Sequence, residues 1–166
     1  MITLRDLRQD DLESVVRWRN DPDVCLHLSN RLKTIDQATA WLAHLRSVDG
    51  IWLKAVENDG KLIGYAAVES IDTSNRKCEL ILIIGEKENW GKGIGAFVLK
   101  EMLNYAFKTL NMHRVWAVVS RGNDRSERLI KSAGLINEGV MREAVIINGE
   151  YTDLLLYSIL ENEYSG

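Results

Sequence analysis

The sequence predicts an α/β (α+β) domain, with a mixed, mostly antiparallel central sheet of about seven strands flanked by about four helices. Three observations predict it. Apolar runs at 51–56 and 62–68 flank the turn residues Asn58-Asp59-Gly60, which is the pattern of an antiparallel hairpin. A second such signal, Asn148-Gly149 between 144–147 and 151–160, lies near the C-terminus. Between the two hairpins, a nearly continuous apolar run at 78–84 passes through a glycine-studded turn into an amphipathic helix, as when a buried strand feeds a helix that packs on its sheet.

The elements follow in order. Ile2, Leu4 and Leu7 lie in a short extended segment, and the acidic pair Asp10-Asp11 opens a helix with Leu12, Val15, Val16 and Arg19 at helical spacing. Asp21-Pro22-Asp23 ends that helix, because proline disfavours helical geometry in the residue before it. An irregular segment is expected through about residue 33. Thr34, with Gln37 three residues on, starts a second helix by a capping box; Ile35, Ala38, Trp41, Leu42 and Leu45 give it an apolar face, and Asp49-Gly50 closes it. After the first hairpin and the strand 78–84, Ile94, Phe97, Val98, Met102, Tyr105 and Ala106 recur at helical intervals. Residues 114–119 form a β-branched strand, and a helix over 124–132 ends at Gly134, where glycine takes the left-handed C-cap geometry. The closing hairpin completes the sheet. The chain shows no internal repeat or linker.

Composition narrows the class. With 166 residues, 46% of them hydrophobic, 27% charged and a single proline, the chain is expected to fold throughout as one domain, residues 1–166. Its 21 basic and 24 acidic residues leave a net charge of −3 and no cationic footprint, so neither nucleic acid nor a membrane is an expected partner. Cys25 and Cys78 lie far apart without ligand spacing, which predicts reduced core thiols, no disulfide and no metal site. Met1-Ile2-Thr3-Leu4-Arg5 alternates like a strand rather than forming a signal peptide's apolar core, and no apolar run reaches bilayer length, so a cytoplasmic protein is expected.

The chemistry concentrates in Gly85-Glu86-Lys87-Glu88-Asn89-Trp90-Gly91-Lys92-Gly93-Ile94-Gly95. Glycines let successive backbone N–H groups converge, and the following helix aims its positive dipole end at the same point, so a pyrophosphate can bind without a cationic side chain. Three cofactor classes use such loops. A nucleotide-hydrolysing P-loop needs Ser or Thr after Gly-Lys, but Gly93 follows Gly91-Lys92. Gly91, Gly93 and Ala96 satisfy the letter of a dinucleotide fingerprint, yet that motif opens the first βαβ unit of a larger sheet, and here it lies in mid-chain. The third class is the coenzyme A loop of the GNAT acetyltransferases, Gln/Arg-x-x-Gly-x-Gly/Ala between a strand and a helix, which Trp90-Gly91-Lys92-Gly93-Ile94-Gly95 resembles in every position but the first.

The order of elements resembles the GNAT fold over essentially the whole chain. Within that superfamily the second half is similar to the RimJ/RimL type of N-acetyltransferase, through Leu110-Asn111-Met112-His113-Arg114-Val115, Asn123-Asp124-Arg125-Ser126-Glu127-Arg128-Leu129-Ile130, Glu138-Gly139-Val140-Met141-Arg142 and Asn148-Gly149-Glu150-Tyr151-Thr152-Asp153. There are departures. Trp90 stands where Gln or Arg is usual, and Leu135 where Gly-Phe is common. Many GNAT enzymes carry a tyrosine seven residues after the asparagine, and here that position is Ile130; the RimJ/RimL type offers a serine three residues after it, which is Ser126.

The resemblance implies an acetyl-CoA-dependent N-acetyltransferase: a neutral primary amine attacks the thioester directly, without a covalent enzyme intermediate and without a metal. It implies main-chain N–H donors at Ile83 and Ile84 for the thioester carbonyl and oxyanion, and a coenzyme cradle at Gly85, Trp90, Gly91, Lys92, Gly93, Ile94 and Gly95. Asn123 would orient the pantetheine, Ser126 would protonate the departing thiolate, and Arg128, within the basic group Arg121, Arg125, Arg128 and Lys131, would meet the phosphates. Helix capping by Asn123, a surface role for Ser126 and a solvated basic face are the structural alternatives. Glu79 is the leading candidate base, with Glu143 and Asp153 behind it; His113 begins a strand and reads as structural. Trp18 and Trp41 lie where the fold builds its acceptor wall. For the acceptor, a protein N-terminus is favoured over a nucleotide-linked amino sugar, to whose acetyltransferases Trp18-Arg19-Asn20-Asp21-Pro22 is similar, and over a polyamine or antibiotic. A non-catalytic acetyl-CoA sensor is the rival of another class. Exposed sheet edges are compatible with a homodimer.

Overall fold

The computed structural model describes residues 1–28 and 32–166. Its elements run β1 (Ile2–Asp6), α1 (Leu12–Asn20), α2 (Ile35–Arg46), β2 (Trp52–Asn58), β3 (Lys61–Asp72), β4 (Lys77–Ile84), α3 (Ile94–Asn104), β5 (Arg114–Ser120), α4 (Asp124–Ser132), β6 (Ile136–Ile147) and β7 (Glu150–Leu160). The seven strands form one sheet in the order β1-β2-β3-β4-β5-β7-β6. Every neighbouring pair is antiparallel except β4 and β5. The predicted fold class therefore stands.

Both hairpins turn as their sequences require. Asp59 (φ 51°) and Gly60 (φ 76°) form one two-residue turn, and Asn148 (φ 53°) and Gly149 (φ 86°) the other, each left-handed at both centres to match the twist of the strands it joins. Asp21, ahead of Pro22, is extended and stops α1. The irregular stretch expected after it begins with a short helical turn at Cys25–His27, while its residues 29–31 lie outside the described ones. The capping box of α2 is offset: Thr34 Oγ1 accepts from the Gln37 N–H at 3.2 Å, but the Gln37 side chain accepts from the N–H of Lys33, not of Thr34, at 2.8 Å.

One strand exceeds its expected length threefold. β6 begins at Ile136 rather than at 144, because it is an edge strand whose residues are mostly exposed, bent by a bulge at Gly139, and so lacks the apolar alternation that marks a half-buried strand.

Each face of the sheet carries a core. Val98, Met102, Val115 and Tyr157 lie in the core beneath α3 and α4, and Leu12, Val15, Trp18, Leu42, Tyr65 and Ile83 in the one beneath α1 and α2. Between the cores the sheet opens. β4 and β5 pair only at Lys77–Arg114, Cys78–Val115 and Glu79–Trp116, and beyond those pairs the two strands part. The gap so formed, at the C-terminal end of β4, is where the glycine loop begins.

Candidate active site

The glycines of the loop serve different ends. A Cβ on Gly85 would lie 2.1 Å from the Trp18 ring, so Gly85 is there to let α1 approach β4; it lines neither cavity described below. Gly91 (φ 75°) and Gly93 (φ 77°) face open space and are required by their left-handed backbone. Gly93 caps α3 without any side-chain hydrogen bond, and its carbonyl accepts from Ala96 and Phe97 at 3.1 and 3.2 Å. Ile94 and Gly95, in the first turn, have no carbonyl one turn back to bond, which leaves their N–H groups for an anion. Trp90 fixes the start of this cradle: its Nε1–H donates to the Ile84 carbonyl at 2.7 Å, and the Arg125 guanidinium from α4 stacks on its ring at 3.6 Å.

Two cavities meet at that stack. One, of about 220 Å³, runs along the cradle past Gly91, Gly93, Ile94, Gly95 and Leu129. The other, of about 340 Å³, fills the gap between β4 and β5 and reaches Asp23, His27, Trp41, Tyr65 and Glu69 on the α1–α2 face. Leu82, Ile84, Trp90, Arg125 and Ser126 line both. The Gly85 N–H donates to Ile63 on β3 (2.8 Å) and the Arg76 carbonyl accepts from Arg114 on β5 (3.0 Å), so alternation along β4 turns Leu82 and Ile84 toward the gap and Ile83 toward β3. The main-chain donors at the gap are therefore those of Leu82 and Ile84. Ile83, expected alongside Ile84, also lines the larger cavity, but its N–H faces β3 and its side chain packs into the α1–α2 core.

At the head of α4, Asn123 Oδ1 accepts from the Ser126 N–H at 3.2 Å, which is the capping role expected of an asparagine at a helix start. The Ser126 hydroxyl makes no hydrogen bond to a described residue and lies where the two cavities join. At the other end of the gap, Glu69 and Glu79 stand directly opposite across β3 and β4. Burial raises both carboxyls above the ordinary range; Glu79, also pushed by the neighbouring Glu69 charge and only partly relieved by the Ser70 hydroxyl at 3.0 Å, reaches about 7.

A profile of the acetyltransferase (GNAT) domain matches residues 1–136. The chain belongs to the GNAT acetyltransferase family. It is similar to the spermidine N(1)-acetyltransferase of Vibrio cholerae, 27% identical over 166 residues that cover 98% of this chain and 95% of that one. A crystal structure of Vibrio cholerae spermidine N-acetyltransferase in complex with CoA and spermine superposes with a TM-score of 0.90 at 26% identity, covering 99% of this chain and 98% of that one. A Bacillus subtilis protein provisionally named ribosomal N-acetyltransferase YdaF is 35% identical over 108 residues, which span 65% of this chain and 58% of its own length.

The GNAT chain is thus an acetyl-CoA-dependent N-acetyltransferase, and its cleft suits that cosubstrate. The open backbone cradle at Gly91–Gly95 offers N–H groups to a pyrophosphate, and the apolar walls at Leu82, Ile84 and Leu129 suit a pantetheine arm. Bound there, acetyl-CoA supplies the thioester. Among the described residues, no three or more His, Cys, Asp or Glu side chains are grouped to hold a metal ion.

Other candidate residues fall away from the cleft. Lys92 belongs to the cradle through its backbone, with its side chain exposed; Arg128 is exposed and lines neither cavity, whereas Arg125, one turn earlier on α4, lines both. Asp153 accepts from the Glu143 N–H at 2.8 Å and pairs with Arg121 at 3.0 Å, so these two acids serve the β6–β7 hairpin. His113 is exposed beside Glu161, at 3.5 Å. Ile130 is buried in the α3–α4 core and Trp18 is buried against Gly85, whereas Trp41 lines the cavity between β4 and β5. Burial pushes the Cys78 thiol up to about 12, so it is no nucleophile. Sequence reasoning passed over Glu69. End-to-end alignment of the runs 62–68 and 78–84 sets Glu69 opposite Lys77; the observed register, offset by two residues, is what sets it opposite Glu79.

Proposed function

We propose that this N-acetyltransferase acts on the primary amine of a small cationic molecule of the polyamine type. The observation that carries this reading is the acceptor cavity, about 340 Å³, with Glu69 in its wall and Glu79 beside it. A cavity of that size accepts a slender amine. A half-buried carboxylate attracts its ammonium, and a carboxyl near 7 is suited to take its proton. The spermidine acetyltransferases among the relatives support the same class.

In this reading Glu79 is the proton acceptor, and the N–H groups of Leu82 and Ile84 stabilise the oxyanion that forms when the amine attacks. The Ser126 hydroxyl gives its proton to the thiolate as the tetrahedral adduct collapses to amide.

A protein N-terminal α-amine, in the RimJ/RimL manner, is the second reading, favoured by the four phrases of the C-terminal half and by the Bacillus subtilis relative. The deciding experiment follows CoA release from acetyl-CoA with polyamines, free-N-terminus peptides, nucleotide-linked amino sugars and aminoglycosides. Turnover greatest with polyamines is expected; turnover confined to peptides would replace the first reading with the second. Coenzyme binding without release on any acceptor would favour a sensor. Ser126→Ala is expected to keep acetyl-CoA affinity while kcat falls about 10–100-fold, as for loss of one proton donor.

A further inference from the structure

We propose that Glu69 is the residue the acceptor amine meets, and that Glu69 and Glu79 act as one base, sharing a single proton before the amine arrives. The proposal rests on the small-amine reading above for its substrate, and on geometry for the pair. Residues in register across an antiparallel pair share a face and lie with Cβ atoms about 4.5–5.5 Å apart. Tyr65, Ala67 and Glu69 alternate onto the α1–α2 face of β3, and Glu79 meets Glu69 there from β4. Of the two acids, only Glu69 lines the acceptor cavity.

Their partners differ as well. Ser70, left-handed at φ 53° where the β3 register shifts, turns its hydroxyl onto Glu79 Oε2 at 3.0 Å. Glu69 has no hydrogen bond or ion pair among the described residues. The charges around it are sparse: Arg19 of α1, which donates to the Tyr65 hydroxyl of β3 at 2.7 Å; His44 of α2; and Asp23 and His27 farther along the cavity. Across from Glu79 on β5 stands Trp116, which carries no charge. Two half-buried carboxylates so placed repel unless a proton lies between them.

The pair also addresses a mismatch in proton affinity. An alkyl ammonium near ~10.4 gives its proton reluctantly to a lone carboxylate near ~4.3. A second carboxylate alongside raises the affinity of the first. The ammonium enters, displaces the shared proton to solvent and hydrogen-bonds to Glu69, and then loses one proton to the doubly ionised pair, which returns to its singly protonated state while the free amine retains its lone pair. The amine forms the C–N bond to the acetyl carbon, the C–S bond breaks as the departing thiolate takes the Ser126 hydroxyl proton, and the second amine proton restores that hydroxyl.

The test uses the full chain as wild type, Glu69→Gln and Glu79→Gln. Carbon-13 NMR of glutamate carboxyls reads the pair whatever the substrate. In wild type, Glu69 and Glu79 are expected to titrate in two steps separated by over one pH unit, and either substitution should leave the remaining acid a single step, lower than the upper wild-type step but still raised by its burial. With the amine that wild type acetylates best, Glu69→Gln should raise its KM about tenfold or more while the KM for acetyl-CoA stays put, and shift the acid limb of kcat/KM to lower pH. Glu79→Gln should lower kcat about 100-fold. Independent titration of the two acids, or an unchanged amine KM and acid limb in Glu69→Gln, overturns the pair. Failure of the small-amine reading would instead show as absent wild-type turnover on small amines with the coupled NMR titration intact.

Discussion

Replacing Glu79 by glutamine should stabilise the protein at high pH and leave it unchanged at low pH. Glutamine keeps the shape of a protonated glutamate and the carbonyl that accepts from Ser70, so the substitution isolates the charge. Folding lifts the Glu79 carboxyl from an ordinary 4.5 to about 7, chiefly by burial. Below pH ~4.5 the carboxyl is protonated in both folded and unfolded chains, and the two proteins are equally stable. Between there and pH 7 the unfolded chain loses the proton while the folded one holds it, so wild type loses stability relative to the variant as pH rises. The loss is complete above 7. The full displacement corresponds to ~3.4 kcal/mol at 1.36 kcal/mol per pH unit. Solvent screening at a half-buried carboxyl reduces the expected difference to about 1–3 kcal/mol. Urea unfolding of both proteins at pH 4 and pH 8 measures it, with the slopes compared to confirm that only the midpoint has moved. Equal stability differences at the two pH values would refute the assignment of a proton to Glu79 in the folded state.

Three glycine-loop predictions separate packing from ligand binding. Gly85→Ala drives a methyl group into the Trp18 ring and should cost about 1–3 kcal/mol or more of stability, read by urea unfolding; a neutral result would mean that α1 can withdraw from β4 freely. Gly93→Ala meets no neighbour but strains the left-handed backbone by about 1–2 kcal/mol, which the free loop relieves by leaving the cradle conformation, so acetyl-CoA binding should weaken about 5–30-fold by calorimetry. Trp90→Gln restores the residue usual in such loops and leaves the backbone cradle intact, so affinity should change by less than about fivefold. If Trp90→Gln weakened binding more than Gly93→Ala, the Arg125–Trp90 stack rather than the backbone would be the main coenzyme contact.

The fold was legible because its signals are local. The Asp59-Gly60 and Asn148-Gly149 turns, the proline after α1 and the glycine-to-helix junction each act within a few residues, and each formed as its sequence required. β6 was legible only in part, since an exposed edge strand has no core to impose a period on it.

The site divides along the same line. The coenzyme half is a continuous segment, and its two left-handed glycines are visible as glycines. The acceptor half is assembled from Arg19 on α1, Trp41 on α2, Tyr65 and Glu69 on β3 and Ser120 on β5, brought together by sheet register and by the bond from the Ser120 hydroxyl to the His27 carbonyl at 2.7 Å. No local pattern joins those positions. What a half-buried acid in a strand does depends on its cross-strand neighbour as well: a lysine opposite Glu79 would offset its burial, whereas Glu69 opposite adds to the burial that makes it a proton-holding group. The chemistry of the acceptor side is therefore a property of the β3–β4 register, and a shift of that register by one residue would turn Glu69 out of the cavity and separate the pair.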